Sequence, residues 1–295
     1  MSKKSDLQER DYAAMFDGLS ANRFIKAMQI ANGAADTHSG YQHYTTMKSL
    51  EKMIESRSFW LSRLDNPDLN DWNEFGKYGS PYGWRHTYIG CFSYGRSESA
   101  AMWKMYCRPN RNAVRILVSR SGMQAWNNHL CHPTSVVANP IRKEGGKFIK
   151  SERRVKVKCA GLSDVLYVSM NGNDETDNGS GCVRWNGRGV RIDDLSDWTK
   201  CKGVEGFVKN LAWQYEQETR LFVILKNEQY QAKRISIQVP DEVFEAMSIV
   251  LSPWLPENKV DSTKEQVESW FEDAGLPIPR TIRRSQLTDA LGAWK

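Results

Sequence analysis

The order of its apolar runs restricts the folds open to this 295-residue chain more than any other feature. Strand-like stretches recur at Tyr41–Thr45, Phe59–Leu61, Tyr88–Ser93, Val114–Val118, Val155–Val157, Val165–Met170, Thr219–Leu225, Arg234–Val239 and Ile249–Leu251. Segments with helical spacing interrupt them irregularly, without the strand–helix–strand rhythm of a doubly wound parallel sheet. The phosphate-cradling signatures G-x-G-x-x-G and G-x-x-x-x-G-K-[ST] are absent. The pattern predicts an α+β protein around one sizeable core.

The predicted helices are specific. Residues 7–31 carry Tyr12, Met15, Phe16 and Leu19 at helical spacing, which makes 1–40 a helical extension ahead of one domain over 41–295. Thr46 is placed to cap a helix whose apolar face is Leu50, Met53 and Ile54. Further helices are expected over Ser97–Cys107 and Val204–Trp213, from Asp241 as cap through Phe244 and Met247, and from Ser262 or Thr263 through Phe271. The stretches Asp65–Glu74 and Asn171–Gly181 hold almost nothing that packs and read as loops.

Composition narrows the class. A chain of this length buries enough apolar surface to fold without covalent staples. Its six cysteines are scattered, with no C-x-x-C pair, and read as reduced thiols. The longest apolar run, Leu221–Leu225, is too short to cross a bilayer, and the polar start lacks the apolar stretch of a secretion signal. The expected location is cytoplasmic, with no membrane contact. Metal binding has one candidate cluster, His129-Leu130-Cys131-His132, which lacks the second spaced pair of a structural zinc site. No metal is expected.

The net charge of +6 is unevenly spread. Arg142, Lys143, Lys147, Lys150, Arg153, Arg154, Lys156 and Lys158 face only Glu144 and Glu152 in the same run. That run fits a phosphate backbone or the solvated face of a hairpin equally well in kind. The eleven tryptophans suit an aromatic-walled cleft as well as a core. Glu216 and Glu218, two residues apart, project to one side with Arg220 if the backbone there is extended. Three charges on one side of a strand line a cleft or pair with one another.

Several landmarks occur together in order: His43-Tyr44-Thr45, Met53 to Ser56, Phe59 to Ser62, Cys91-Phe92-Ser93, Met102-Trp103 with Tyr106, Lys209, Trp213, Tyr215 to Arg220, Ile249 to Pro253 and Arg284-Ser285. Over roughly residues 41–286 this resembles the prokaryotic domain-of-unknown-function family 2971, with Ser252 where that family usually has glycine. The His-Tyr-Thr strand leading into a helix also resembles the first motif of His-Tyr-Glu ADP-ribosyltransferases. That resemblance implies a split mixed or antiparallel sheet with flanking helices, and NAD as substrate. It implies His43 at a ribose, Tyr44 and Thr45 at the nicotinamide end, Tyr106 or Trp103 stacking on the ring, and Ser93 lending a hydroxyl. Glu218 would be the catalytic carboxylate, with Glu216 and Arg220 beside it. Such a carboxylate stabilises the oxocarbenium-like centre formed when the nicotinamide–ribose bond breaks. The implied activity is transfer of ADP-ribose to a protein or nucleic acid, or NAD cleavage, in a toxin or anti-phage setting. Two bland readings stand beside it. Glu218 can be a structural partner of Arg220 or a lysine, and the whole chain can be a non-catalytic binding module using the 142–158 run.

Overall fold

The structure is a computed structural model that describes residues 35, 37–65, 86–107, 111–131, 137–144, 147–150, 155–168, 181–185, 188–192, 207–225 and 232–288. The expected N-terminal helices, the 65–74 turns beyond Asp65, most of the 171–181 loop, His132, Arg153 and Arg154 lie outside these residues.

The fold is α+β, with a mixed, mostly antiparallel sheet and flanking helices. Strand β1 (Gly40–Thr46) leads into helix α1 (Met47–Ser56) and strand β2 (Ser58–Arg63). Thr46 caps α1 as expected, its hydroxyl accepting from the Ser49 amide at 3.2 Å, and Leu50, Met53 and Ile54 are buried. After β3 (Thr87–Tyr94), a helical turn over Ala100–Met102 passes into a π-turn, Trp103–Cys107. Next come β4 (Ala113–Ser119), helix α2 (Arg120–Cys131), β5 (Val137–Glu144), β6 (Lys147–Lys150) and β7 (Val155–Asp164). The short strands β8 (Leu166–Val168), β9 (Gly181–Trp185), β10 (Arg188–Ile192) and β11 (Val208–Asn210) form a separate small sheet. The chain then runs through β12 (Glu218–Leu225), β13 (Arg234–Gln238), helix α3 (Asp241–Glu245), β14 (Met247–Leu251), helix α4 (Val260–Asp273) and β15 (Ile282–Arg284).

Pairing explains the shape. Strands β2, β3, β12, β7, β5 and β13 join in a closed antiparallel ring. The wing β1-β4-β14-β15 leaves this ring at β3. One edge of β3 is paired along its length with β12, whereas the other is shared. There β2 pairs with Tyr88 and Ile89, and β1 pairs with Ser93 and Tyr94. Gly90, Cys91 and Phe92 lie between, at a fork where the sheet splits. Gly90 is needed there, because a Cβ would stand 2.4 Å from the Phe59 ring. The core packs Phe59, Leu61, Phe92, Ile116, Trp126, Leu221, Ile235 and Phe244, each fully or almost fully buried. Burying a side chain of this size contributes about 1.5–3 kcal/mol. No helix among the described residues is long and apolar enough to cross a membrane.

Three helix expectations need correction. The described part of the expected 204–213 helix, from residue 207 on, is not helical throughout: Val208–Asn210 is a strand paired in parallel with β8, and Leu211–Glu216 is a 3₁₀ turn. Phe207 is instead fixed edge-on against Phe222 of β12, so tertiary packing overrides local periodicity. Asp241 is the first helical residue and not a cap; Arg57 pairs with it at 3.3 Å, and Met247 already belongs to β14. Helix α4 starts at Val260, and the hydroxyls of Ser262 and Thr263 bond back to the Lys259 carbonyl instead of capping it. Helix α2 was not legible, since its run mixes Ser121, Gly122 and two asparagines.

Candidate functional site

Register carries the candidate residues to the fork. Gln42 of β1 stands opposite Ser93 of β3, and Ser93 stands opposite Glu218 of β12. These three, with Tyr44, share one face by strand alternation. The π-turn supplies Tyr106 and the 3₁₀ turn supplies Glu216. Together with His43, Cys91, Phe92 and Met102 they line a cleft of about 70 Å³. His43 leaves β1 on the opposite face, against Phe59 and Phe92 at ring separations of 5.1 and 5.4 Å. At the fork it still borders the cleft, because its Nδ1 reaches the Cys91 carbonyl at 2.9 Å.

Glu216 and Glu218 converge, though not through an extended backbone. Gln217 between them has φ +45°, a left-handed conformation, and its carbonyl accepts from the Tyr94 amide at 2.8 Å. This reversal turns both carboxylates onto one cation: Lys209 Nζ lies 2.6 Å from Glu216 and 2.9 Å from Glu218. Arg220 then grips Glu218 with two bonds, Nε at 2.7 Å and a terminal nitrogen at 3.0 Å. The Tyr106 hydroxyl donates to Glu216. Two acids and two bases thus neutralise one another while only 1–4 % exposed. Of the two arrangements open to charges on one side of a strand, a cleft lining or mutual pairing, the structure shows the pairing. The charges are sealed because each is paired.

The environment separates the two carboxyls. Burial alone would push Glu218 up, but Arg220 and Lys209 hold it well below the usual carboxylate range. Burial and the neighbouring Glu218 charge push Glu216 up, against the pull of Lys209 and Tyr106. Burial, then Glu216, raises the Tyr106 hydroxyl. Burial lowers His43, so its imidazole is neutral, with Nδ1–H donating to Cys91 and Nε2 left as an acceptor. Burial and Glu218 raise the free thiol of Cys91 well up, so it is no nucleophile.

The cleft omits three of the expected residues. Trp103 is fully buried, edge-on to Tyr44 at 5.1 Å, with its indole N–H on Glu98. It is a core residue and cannot stack on a ligand in the cleft. Arg220, 1 % exposed, stands behind Glu218 and not at a rim. Thr45 lines a different cavity, on the His43 face of β1. Tyr44 does border the cleft, but its hydroxyl is already bonded to Gln42 and to the Ser99 amide. Sequence reasoning gave no role to Lys209, the shared cation, nor to Gln42, which Arg115 holds at 2.9 Å. Alternation from Tyr44 would have found Gln42; nothing local to Lys209 announces its partners.

One atom in the cleft stands out. Ser93 is 6 % exposed, lines the cleft, and its Oγ has no hydrogen-bond partner among the described residues. A buried hydroxyl left so costs about 1–3 kcal/mol unless something satisfies it.

No protein-family model matches the chain, and neither does any curated protein. It is similar to solved structures of DarT from Thermus sp. 2.9. One, in complex with NAD+, has 9 % identity, covers 85 % of this chain and 96 % of the other, and gives a TM-score of 0.35. A second, in complex with ADP-ribosylated ssDNA, has 8 % identity, covers 86 % and 96 %, and gives the same TM-score.

Proposed function

We propose that the chain is an NAD-consuming enzyme of ADP-ribosyltransferase type, working at the cleft where the sheet forks. The observation that carries this is the orphaned, buried Ser93 hydroxyl aimed into a cleft bordered by His43, Tyr106, Glu216 and Glu218. A ligand hydroxyl or amide entering there would meet Ser93 Oγ, a group suited to a ribose, with the neutral imidazole of His43 at the border of the cleft. At about 70 Å³ the cleft takes only one end of NAD. Tyr106 on the cleft's border, 38 % exposed, and Tyr215 next in sequence to Glu216, 47 % exposed, offer ring surface.

Glu218 stays ionised because Arg220 and Lys209 hold it so, which is what an oxocarbenium-like centre at the ribose C1′ requires. The C1′–N bond breaks and nicotinamide leaves as a neutral molecule with the electron pair. An acceptor hydroxyl then forms the new bond to C1′, and Glu216, the carboxyl with raised proton affinity, takes the proton. The acceptor is a macromolecule, or water in simple NAD cleavage. A toxin or anti-phage role would follow from such activity, and growth arrest on expression, relieved by Ser93→Ala, would support it.

Incubation with adenine-labelled NAD, scoring free nicotinamide and labelled protein or nucleic acid together, tests the reading. Nicotinamide release by the wild type and its loss in Ser93→Ala are expected. A folded wild type that neither binds nor consumes NAD would leave the cleft as a structural element and favour the binding-module reading. Of the basic run, Arg142, Lys143, Lys147 and Lys150 lie on the β5–β6 hairpin, and Lys156 and Lys158 on β7.

A further inference from the structure

The larger cavity lies on the other side of the fork. It measures about 290 Å³, near the lower end of the range of about 300–1,000 Å³ usual for small-molecule sites. Its lining comes from His43 and Thr45 of β1, from α1, and from β2 with Arg234 of β13. Three cationic side chains surround it: Lys48 and Lys52 from successive turns of α1, and Arg234 of β13, whose register partner is Ser62. None of the described residues lining it is acidic. Hydroxyls of Thr45, Thr46, Ser49, Ser58 and Ser62 stand among the cations, and Trp60 supplies an aromatic face that the Lys52 ammonium overlies at 5.6 Å.

Helix α1 itself is built against the usual rule. Helix N-termini favour acidic residues, because the exposed amides there carry partial positive charge. The first turn of α1 has no acidic residue and instead places Lys48 beside that end. An arrangement that concentrates positive charge in a cavity becomes favourable when an anion sits in it.

We propose that this cavity is a binding site for the phosphate groups of a nucleotide, with Lys48 and Lys52 neutralising the phosphates and Trp60 contacting the organic part. The site does not depend on the transferase reading, since none of its cations touches Glu216, Glu218 or Ser93. Phosphate contacts supply the affinity, so inorganic pyrophosphate binds as well and adenosine binds poorly.

Calorimetric titration of the full chain with ADP, inorganic pyrophosphate and adenosine, at low and physiological salt, tests the assignment. ADP and pyrophosphate should bind, weakening as salt rises, and adenosine should bind much less tightly than ADP. Lys48→Ala/Lys52→Ala should weaken ADP about tenfold or more with an unchanged unfolding temperature. Lys48 is exposed and Lys52 half-buried, so neither replacement opens the core. The assignment is overturned if a folded wild type binds neither anion, if the double variant binds ADP as before, or if adenosine equals ADP. It is also overturned if a single-stranded oligonucleotide binds more tightly than ADP through the same lysines. Because binding and not turnover is read, ADP binding without NAD consumption would sink only the transferase reading, and the reverse result only this one.

Discussion

The two sides of β1 hold opposite electrostatic designs within one seven-residue strand. On the Gln42 and Tyr44 side, Glu216, Glu218, Lys209 and Arg220 are buried and cancel one another, leaving a cleft of about 70 Å³. On the His43 and Thr45 side, Lys48, Lys52 and Arg234 line a cavity of about 290 Å³, and none of the other described lining residues is acidic. Buried charge that is fully paired mostly holds structure in place, because removing either partner strands the other. A buried hydroxyl left without a partner is where a ligand has something to gain, and like charges gathered around a cavity favour an anion there. By that measure the acids of the cleft are its frame, and Ser93 is its open contact.

The largest effect that can break this comparison is Glu218→Gln. Removing one negative charge leaves Arg220 and Lys209 in excess at a buried site, and about 3–5 kcal/mol of stability should be lost in denaturant titration. A loss under about 1 kcal/mol would mean that the network does not frame the cleft. The same geometry makes this variant unsuitable as a purely catalytic test, contrary to what a solvated carboxylate would have allowed. Gly90→Ala comes next. Its Cβ would collide with the Phe59 ring at the fork, so about 1–3 kcal/mol should be lost. An unaffected unfolding midpoint would show that the fork is loosely packed.

Acid titration of stability sharpens the contrast further, with a smaller effect. Because Glu218 is held low in the fold, its contribution is complete above the ordinary carboxylate value of 4.5 and is lost as pH falls toward its depressed folded value. Glu216 acts in the opposite sense: its contribution is complete below 4.5 and is lost as pH rises through its raised value. His43, kept neutral by burial, contributes fully above 6.5 and loses that contribution as pH falls below it. A His43→Gln variant should therefore flatten the stability curve below pH 6.5 and leave the more acidic loss in place. An unchanged curve would mean that the imidazole is not buried neutral.

Much of the frame was legible in the sequence, because short-range rules govern it. Thr46 as a cap, the apolar face of α1 and the strands around Tyr88–Ser93 and Thr219–Leu225 all follow from local pattern. The site was legible as a set of residues but not as an arrangement. Spacing puts Glu216 and Glu218 on one face only if the backbone is extended, whereas the left-handed Gln217 brings them together, a conformation that no neighbouring glycine signals. Trp103 and Tyr106 were interchangeable on a helical turn. Only packing decides that the indole enters the core and the phenol reaches Glu216. Lys209 closes the network from a strand that local periodicity assigned to a helix.

The most direct test pairs two readings of Ser93→Ala, the variant with the smallest expected cost to folding. The alanine removes a buried hydroxyl that has no partner among the described residues, so stability should stay within about 1 kcal/mol of the wild type or rise. Nicotinamide release from NAD should meanwhile fall about tenfold or more, since the contact offered to the ligand is gone. A variant that keeps wild-type turnover, or that loses turnover only by unfolding, would contradict the claim that this hydroxyl is the open contact of a catalytic cleft.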